Sequence, residues 1–173
     1  LKNEHRQDAI TPIAKALNHF NLHLLKNAGE VIIDNKLALN VLSVFDEDNW
    51  TKPTDSSKIN VALYHGSIHG CQTSQGWIMD EAEDSVNIFK DFDYAMLGDI
   101  HKAQAMDKKG RVRYAGSTIQ QNFGESINKG FLMWNIESKA TFTTQHINVV
   151  NPCPFITINL NNDGTFPKVI VPK

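Results

Sequence analysis

Only two cysteines, Cys71 and Cys153, occur in 173 residues, and their separation matches neither a zinc site nor a redox pair. A disulfide framework is therefore set aside; both thiols are expected to be free and buried, in a reducing compartment. No apolar run has the length of a membrane span and no signal peptide opens the chain, so no membrane partner and a cytoplasmic location are expected. An excess of positive charge is missing as well: 17 Lys and Arg face 19 Asp and Glu, a net charge of −2. That removes a global basic footprint for nucleic acid, although a local basic strip or bound metal ions still reach phosphates. Internal repeats and low-complexity tracts are absent too. What is there, 41% hydrophobic and 21% charged residues, suffices for one domain with a sizeable core.

The pattern along the chain predicts an α/β order followed by mainly antiparallel β. Ile10, Ile13, Ala14 and Leu17 recur at helical spacing, with Asp8 or Thr11 as cap and Pro12 in the first turn, so residues 8–19 read as a helix. Short strands are expected over 22–26, 30–34 and 37–44, then a polar loop over 46–58. Residues 59–64 form a run that is apolar apart from Asn60, as in a strand buried on both faces, and a glycine-bearing polar loop follows over 66–76. A helix over 81–89 and a buried strand over 94–97 come next. Lys108-Lys109-Gly110 signals a hairpin before Val112-Arg113-Tyr114, and 131–136 with 141–149 read as two further strands. Two prolines in Asn151-Pro152-Cys153-Pro154 mark a boundary, after which 155–160 alternates like a half-exposed strand.

Two strand ends carry chemistry. One closes in Leu63-Tyr64-His65-Gly66 and the other in Leu97-Gly98-Asp99-Ile100-His101-Lys102. A buried strand that ends in glycine and then offers a carboxylate or an imidazole is a common way for α/β proteins to present ligands. His65, Asp99 and His101 are the candidate metal ligands, and oxygen plus imidazole donors suit manganese, zinc or iron rather than calcium. They are expected to meet at a common point. His69 is a weaker candidate in the following loop, and His5, His19, His23 and His146 have no supporting context. Lys102, Lys108, Lys109, Arg111 and Arg113 make a local basic strip, which reads either as a solvated β edge or as a contact to a nucleic-acid backbone. Tyr114-Ala115-Gly116-Ser117, Asn122-Phe123-Gly124-Glu125 and Lys129-Gly130 read as turn chemistry when taken alone.

Taken in order, these segments resemble the metallophosphoesterase nucleases of the SbcD type, the nuclease half of a double-strand-break repair nuclease–ATPase complex. The matching stretches are Leu63-Tyr64-His65-Gly66, Leu97-Gly98-Asp99-Ile100-His101-Lys102-Ala103-Gln104, Tyr114-Ala115-Gly116-Ser117 and Asn122-Phe123-Gly124-Glu125. The helix from Arg6 to Pro12 resembles the one that follows the family's Gly-Asn-His-Asp motif. The resemblance implies part of a metallophosphoesterase β-sandwich with flanking helices over residues 1–150, its amino-terminal half missing, and the start of a DNA-capping domain over 151–173. It further implies two divalent metal ions, manganese foremost, with His65 and Asp99 serving one and His101 the other. DNA would be the substrate, a coiled-coil ATPase of the SbcC type the partner, and a homodimer the full-length assembly.

Two departures accompany it. Position 99 is Asp where most members have His, and an anion there would bind the cation more electrostatically. The family's three upstream motifs, which carry the bridging Asp and the catalytic His, do not occur; Leu1 and Pro172-Lys173 both read as cut ends, so a piece of a longer protein, inactive alone, is expected. The rival readings are a phosphoesterase for small phosphomonoesters or cyclic nucleotides, and a non-catalytic DNA-binding or assembly module.

Overall fold

The computed structural model describes residues 8–82 and 84–168. Apolar residues of the central segments assemble a six-stranded mixed sheet in the order β1-β2-β3-β4-β6-β5. Its strands are β1 (Gly29–Ile32), β2 (Leu37–Leu42), β3 (Ile59–His65), β4 (Tyr94–Gly98), β5 (Gln104–Ala105) and β6 (Val112–Tyr114). The inner four, β2, β3, β4 and β6, run parallel, and the short β1 and β5 close the edges antiparallel. Two further strands, β7 (Gly130–Ile136) and β8 (Phe142–Asn148), form a separate antiparallel hairpin. The molecule is thus mixed α/β, with a parallel centre before an antiparallel end.

Why one face of the sheet is buried follows from register. Leu42, Tyr64, Leu97 and Tyr114 lie in one row across β2, β3, β4 and β6, and Ala62, Ala95 and Val112 fill the next row. Ile68, Cys71, Phe89 and Ile100 from the connecting loops cover them, and Trp50 and Phe89 meet the Tyr64 ring edge-on. Loops do here what crossover helices do in most parallel sheets. At the opposite end of β4, Tyr94 packs edge-on against Trp134 and Phe142, and its hydroxyl donates to the Ser138 carbonyl at 2.6 Å, tying the hairpin to the sheet.

Several sequence expectations are corrected. The flanking helices reduce, among the described residues, to α1 (Ile10–Leu17), which Asp8 caps by accepting from the amides of Ile10 and Thr11. Residues 22–26 form no strand: no neighbouring chain offers them a ladder, and Leu22, Leu24 and Leu25 remain exposed. Residues 81–89 form no α-helix but a 3₁₀ turn at Val86–Phe89. Asp84 is the reason, because its backbone is held extended in an isolated parallel bridge to Ile68, while its carboxylate accepts from the Tyr64 hydroxyl; Glu83 lies outside the described residues. The alternating 155–160 segment is not a strand either. Gln120 takes over the pairing at Phe155, accepting from its amide and donating to its carbonyl. Cys71 is buried and free as expected, whereas Cys153 is exposed. No helix among the described residues is long and apolar enough to cross a membrane.

Candidate metal and phosphoester site

Parallel pairing decides which loops can meet. β3 and β4 run side by side with His65 opposite Gly98, so both chemistry-bearing strand ends open at the same edge of the sheet. There His65 Nε2 lies 3.9 Å from Asp99 Oδ1, with the two side chains 80% and 48% exposed. A Cβ on residue 98 would sit 2.6 Å from His65 Nδ1, so the ring occupies the space that glycine leaves. Asp99 itself has φ of 87°, a left-handed conformation that non-glycine residues adopt rarely and at a cost. Beneath the pair, Tyr114 on β6 donates its hydroxyl to the Gly66 carbonyl at 2.7 Å and fixes the exit of β3. Burial pushes the Tyr114 phenol well above its ordinary value, so it stays a donor.

His101 sits two residues beyond Asp99 and makes a different contact. Its Nδ1 lies 2.8 Å from Glu125 Oε1, and Glu125 is only 2% exposed. Lys129, 5% exposed, reaches the other carboxylate oxygen at 2.9 Å and also donates to the His101 carbonyl at 2.9 Å. The Gln121 amide and the Asn122 side chain complete the shell around the carboxylate. Burial pulls the Glu125 carboxyl upward, but hydrogen bonds from Lys129, His101 and Gln121 outweigh it and hold the group down at about 2. The turn after His101 is held close to residues 115–117: Gly116, with φ of 81°, places its α-carbon where a side chain would strike the Ala103 amide.

Of the three candidate ligands, then, two come together and the third is oriented by a buried ion pair. Among the described residues no group of three or more His, Cys, Asp or Glu is gathered to hold one metal. Two donors on one tetrahedral cation at about 2.1 Å each stand about 3.4 Å apart, so His65 and Asp99, 3.9 Å apart and both exposed, would have to close slightly to share an ion. His101 instead has its Nδ1 engaged by Glu125. His69 is spent on the Asp80 carbonyl at 2.6 Å.

The basic strip is divided by the sheet. Lys102 lies at the site end, hydrogen-bonded to the Gln72 side chain. Lys108 and Lys109 are at the turn that opens β6, the opposite end, and Arg111 beside them stacks over the Tyr94 ring with its charge 5.7 Å from the centroid. Arg113 lies within β6 and is partly buried. Sequence reasoning missed Glu125 and Lys129 as functional partners. Their signal was an acid and a base four apart, which pair with each other in the structure. It also missed Gln104, which clamps the 71–79 loop through both backbone groups of Gln72.

No family model matches the chain. Over its whole length it is 34% identical to an uncharacterized protein of Acanthamoeba polyphaga mimivirus, of which it covers 13%. Over 53% of its length it is 32% identical to the SbcD subunit of the nuclease SbcCD from Staphylococcus epidermidis, covering 25% of that protein. The chain spans between an eighth and a quarter of these curated relatives, and about half of it is similar to a nuclease subunit.

Proposed function

We propose that this chain contributes ligands to a manganese-dependent centre that hydrolyses phosphodiester bonds in DNA. The observation that carries the reading is the His65–Asp99 pair at adjacent parallel strand ends, with His101 two residues further along and held by Glu125, in a chain half of which is similar to a nuclease subunit. His65 and Asp99 would hold one ion and His101 Nε2 would face a second. Bound there, the ions supply an activated water and polarise the scissile phosphate. Lys102, at the same end of the sheet, would leave its Gln72 partner to meet the nucleic-acid backbone. The metallophosphoesterase architecture, a coiled-coil ATPase partner of the SbcC type and dimerisation belong to this same reading.

A two-metal centre takes more donors than these three, so turnover is expected only where a longer polypeptide or an assembly adds them. The chain alone is expected to bind Mn(II) and to leave DNA intact. Electron paramagnetic resonance of Mn(II) titrated with the chain tests the first half, and end-labelled duplex DNA the second. Binding that disappears in the His65→Ala/Asp99→Ala variant supports the reading; binding indifferent to both substitutions contradicts it. DNA turnover by the chain itself, abolished by His101→Ala, would overturn the shared-centre argument, and hydrolysis of a chromogenic phosphomonoester alone would favour a small-molecule phosphatase.

A further inference from the structure

We propose that Glu125, paired with Lys129, is a positioning residue that keeps the His101 ring in its Nδ1–H tautomer, leaving the Nε2 lone pair free to bind a cation. The inference rests on the reading that His101 is a ligand, but its own test does not.

Glu125 Oε2 receives the Lys129 ammonium at 2.9 Å and the Gln121 amide at 3.0 Å. Oε1 receives the Asn122 amide group at 3.2 Å and faces His101 Nδ1 at 2.8 Å. With three donors already around it, the carboxylate acts as an acceptor, so the hydrogen between it and the imidazole belongs to Nδ1. A neutral ring carries one such hydrogen, which leaves Nε2 bare. Lys129 supports the arrangement twice, because it also donates to the His101 carbonyl and so fixes the backbone that carries the ring. A hydrogen bond from the far nitrogen to a carboxylate is the usual device for orienting a metal-binding histidine.

Glu125→Gln turns this into a switch. Lys129 and the Gln121 amide can only donate, so the amide oxygen must turn toward them and the NH₂ toward His101. Asn122, the other group on Oε1, can answer by turning its own amide oxygen to the NH₂, and the imidazole answers by moving its hydrogen to Nε2 and accepting at Nδ1. The variant then caps the atom that would bind metal while leaving the side chain's shape nearly unchanged.

The experiment is a long-range proton–nitrogen spectrum of the chain labelled with ¹⁵N-histidine, at a pH about two units above the ordinary histidine value. In the unmodified chain His101 is expected as the Nδ1–H form, with a pyridine-type Nε2; an Nε2–H or doubly protonated ring overturns the proposal. In Glu125→Gln His101 is expected to switch to Nε2–H, and retention of the Nδ1–H form overturns it. His69 is the internal control for folding, since its Nδ1 faces a carbonyl that only accepts, and it should stay Nδ1–H in both proteins. If Glu125→Gln unfolds and His69 loses that form, the spectrum of the unmodified chain still decides. Failure of Mn(II) to perturb a correctly tautomerised His101 would count against the metal reading and leave the positioning role standing.

Discussion

The imidazole of His65 lies across Gly98, its partner in the parallel ladder between β3 and β4, in space that no other residue type would leave open. The contact couples backbone chemistry to ligand placement. A methyl group at position 98 meets the exposed tip of a side chain rather than backbone, so the ring can swing away at little cost. Gly98→Ala is expected to change the urea midpoint hardly at all, by less than about 1 kcal/mol, yet to weaken Mn(II) binding at least tenfold. Chemical denaturation and a Mn(II) titration on the same preparation separate the two effects.

Asp99 carries the complementary cost. Its φ of 87° is comfortable for glycine and strained for aspartate. Asp99→Gly should therefore raise stability by about 1 kcal/mol while removing one donor of the pair. A stabilised protein with impaired Mn(II) binding is the expected outcome; a destabilised one would show that the conformation is not strained.

The buried ion pair of Glu125 and Lys129 should be sensitive to loss of one partner. Glu125→Ala leaves the Lys129 ammonium without its carboxylate, a change that costs about 3–5 kcal/mol. Adding Lys129→Met removes the stranded charge, and the double variant should regain most of that loss in equilibrium unfolding.

Acid should loosen α1 before the sheet. A hydrogen bond from Lys26, with others from Thr11, holds the Asp8 carboxyl well below the usual carboxylate range, and that group caps a helix with no buried residue. A lowered folded value means that the stabilisation is complete above the ordinary aspartate value of about 3.9 and fades as pH falls below it. Cα chemical shifts of residues 10–17 should move toward coil values in that range, while those of β3 and β4 hold.

How much of this was written in the residues can be judged element by element. The runs over 59–64 and 94–97 announced buried strands because they are almost wholly apolar, Asn60 apart, and their glycine-bearing ends marked the site. Residues 22–26 and 155–160 misled because local pattern carries no information about whether a pairing partner exists; Gln120 satisfies the Phe155 backbone from a distance of 35 residues. The helix expected over 81–89 failed through a single tertiary bridge at Asp84. At the site, the proximity of His65 and Asp99 was legible from two strand ends. The roles of Glu125 and Lys129 were not, because burial of a charged pair inside a turn depends on the packing around it.

The central claim is that His65, Asp99 and His101 face divalent cations at one edge of the sheet. Paramagnetic broadening of the histidine ring protons by substoichiometric Mn(II) tests it most directly. Selective loss of the His65 and His101 signals, with His19, His69 and His146 still sharp, is the predicted result; uniform broadening of them all, or none at His65, would contradict it.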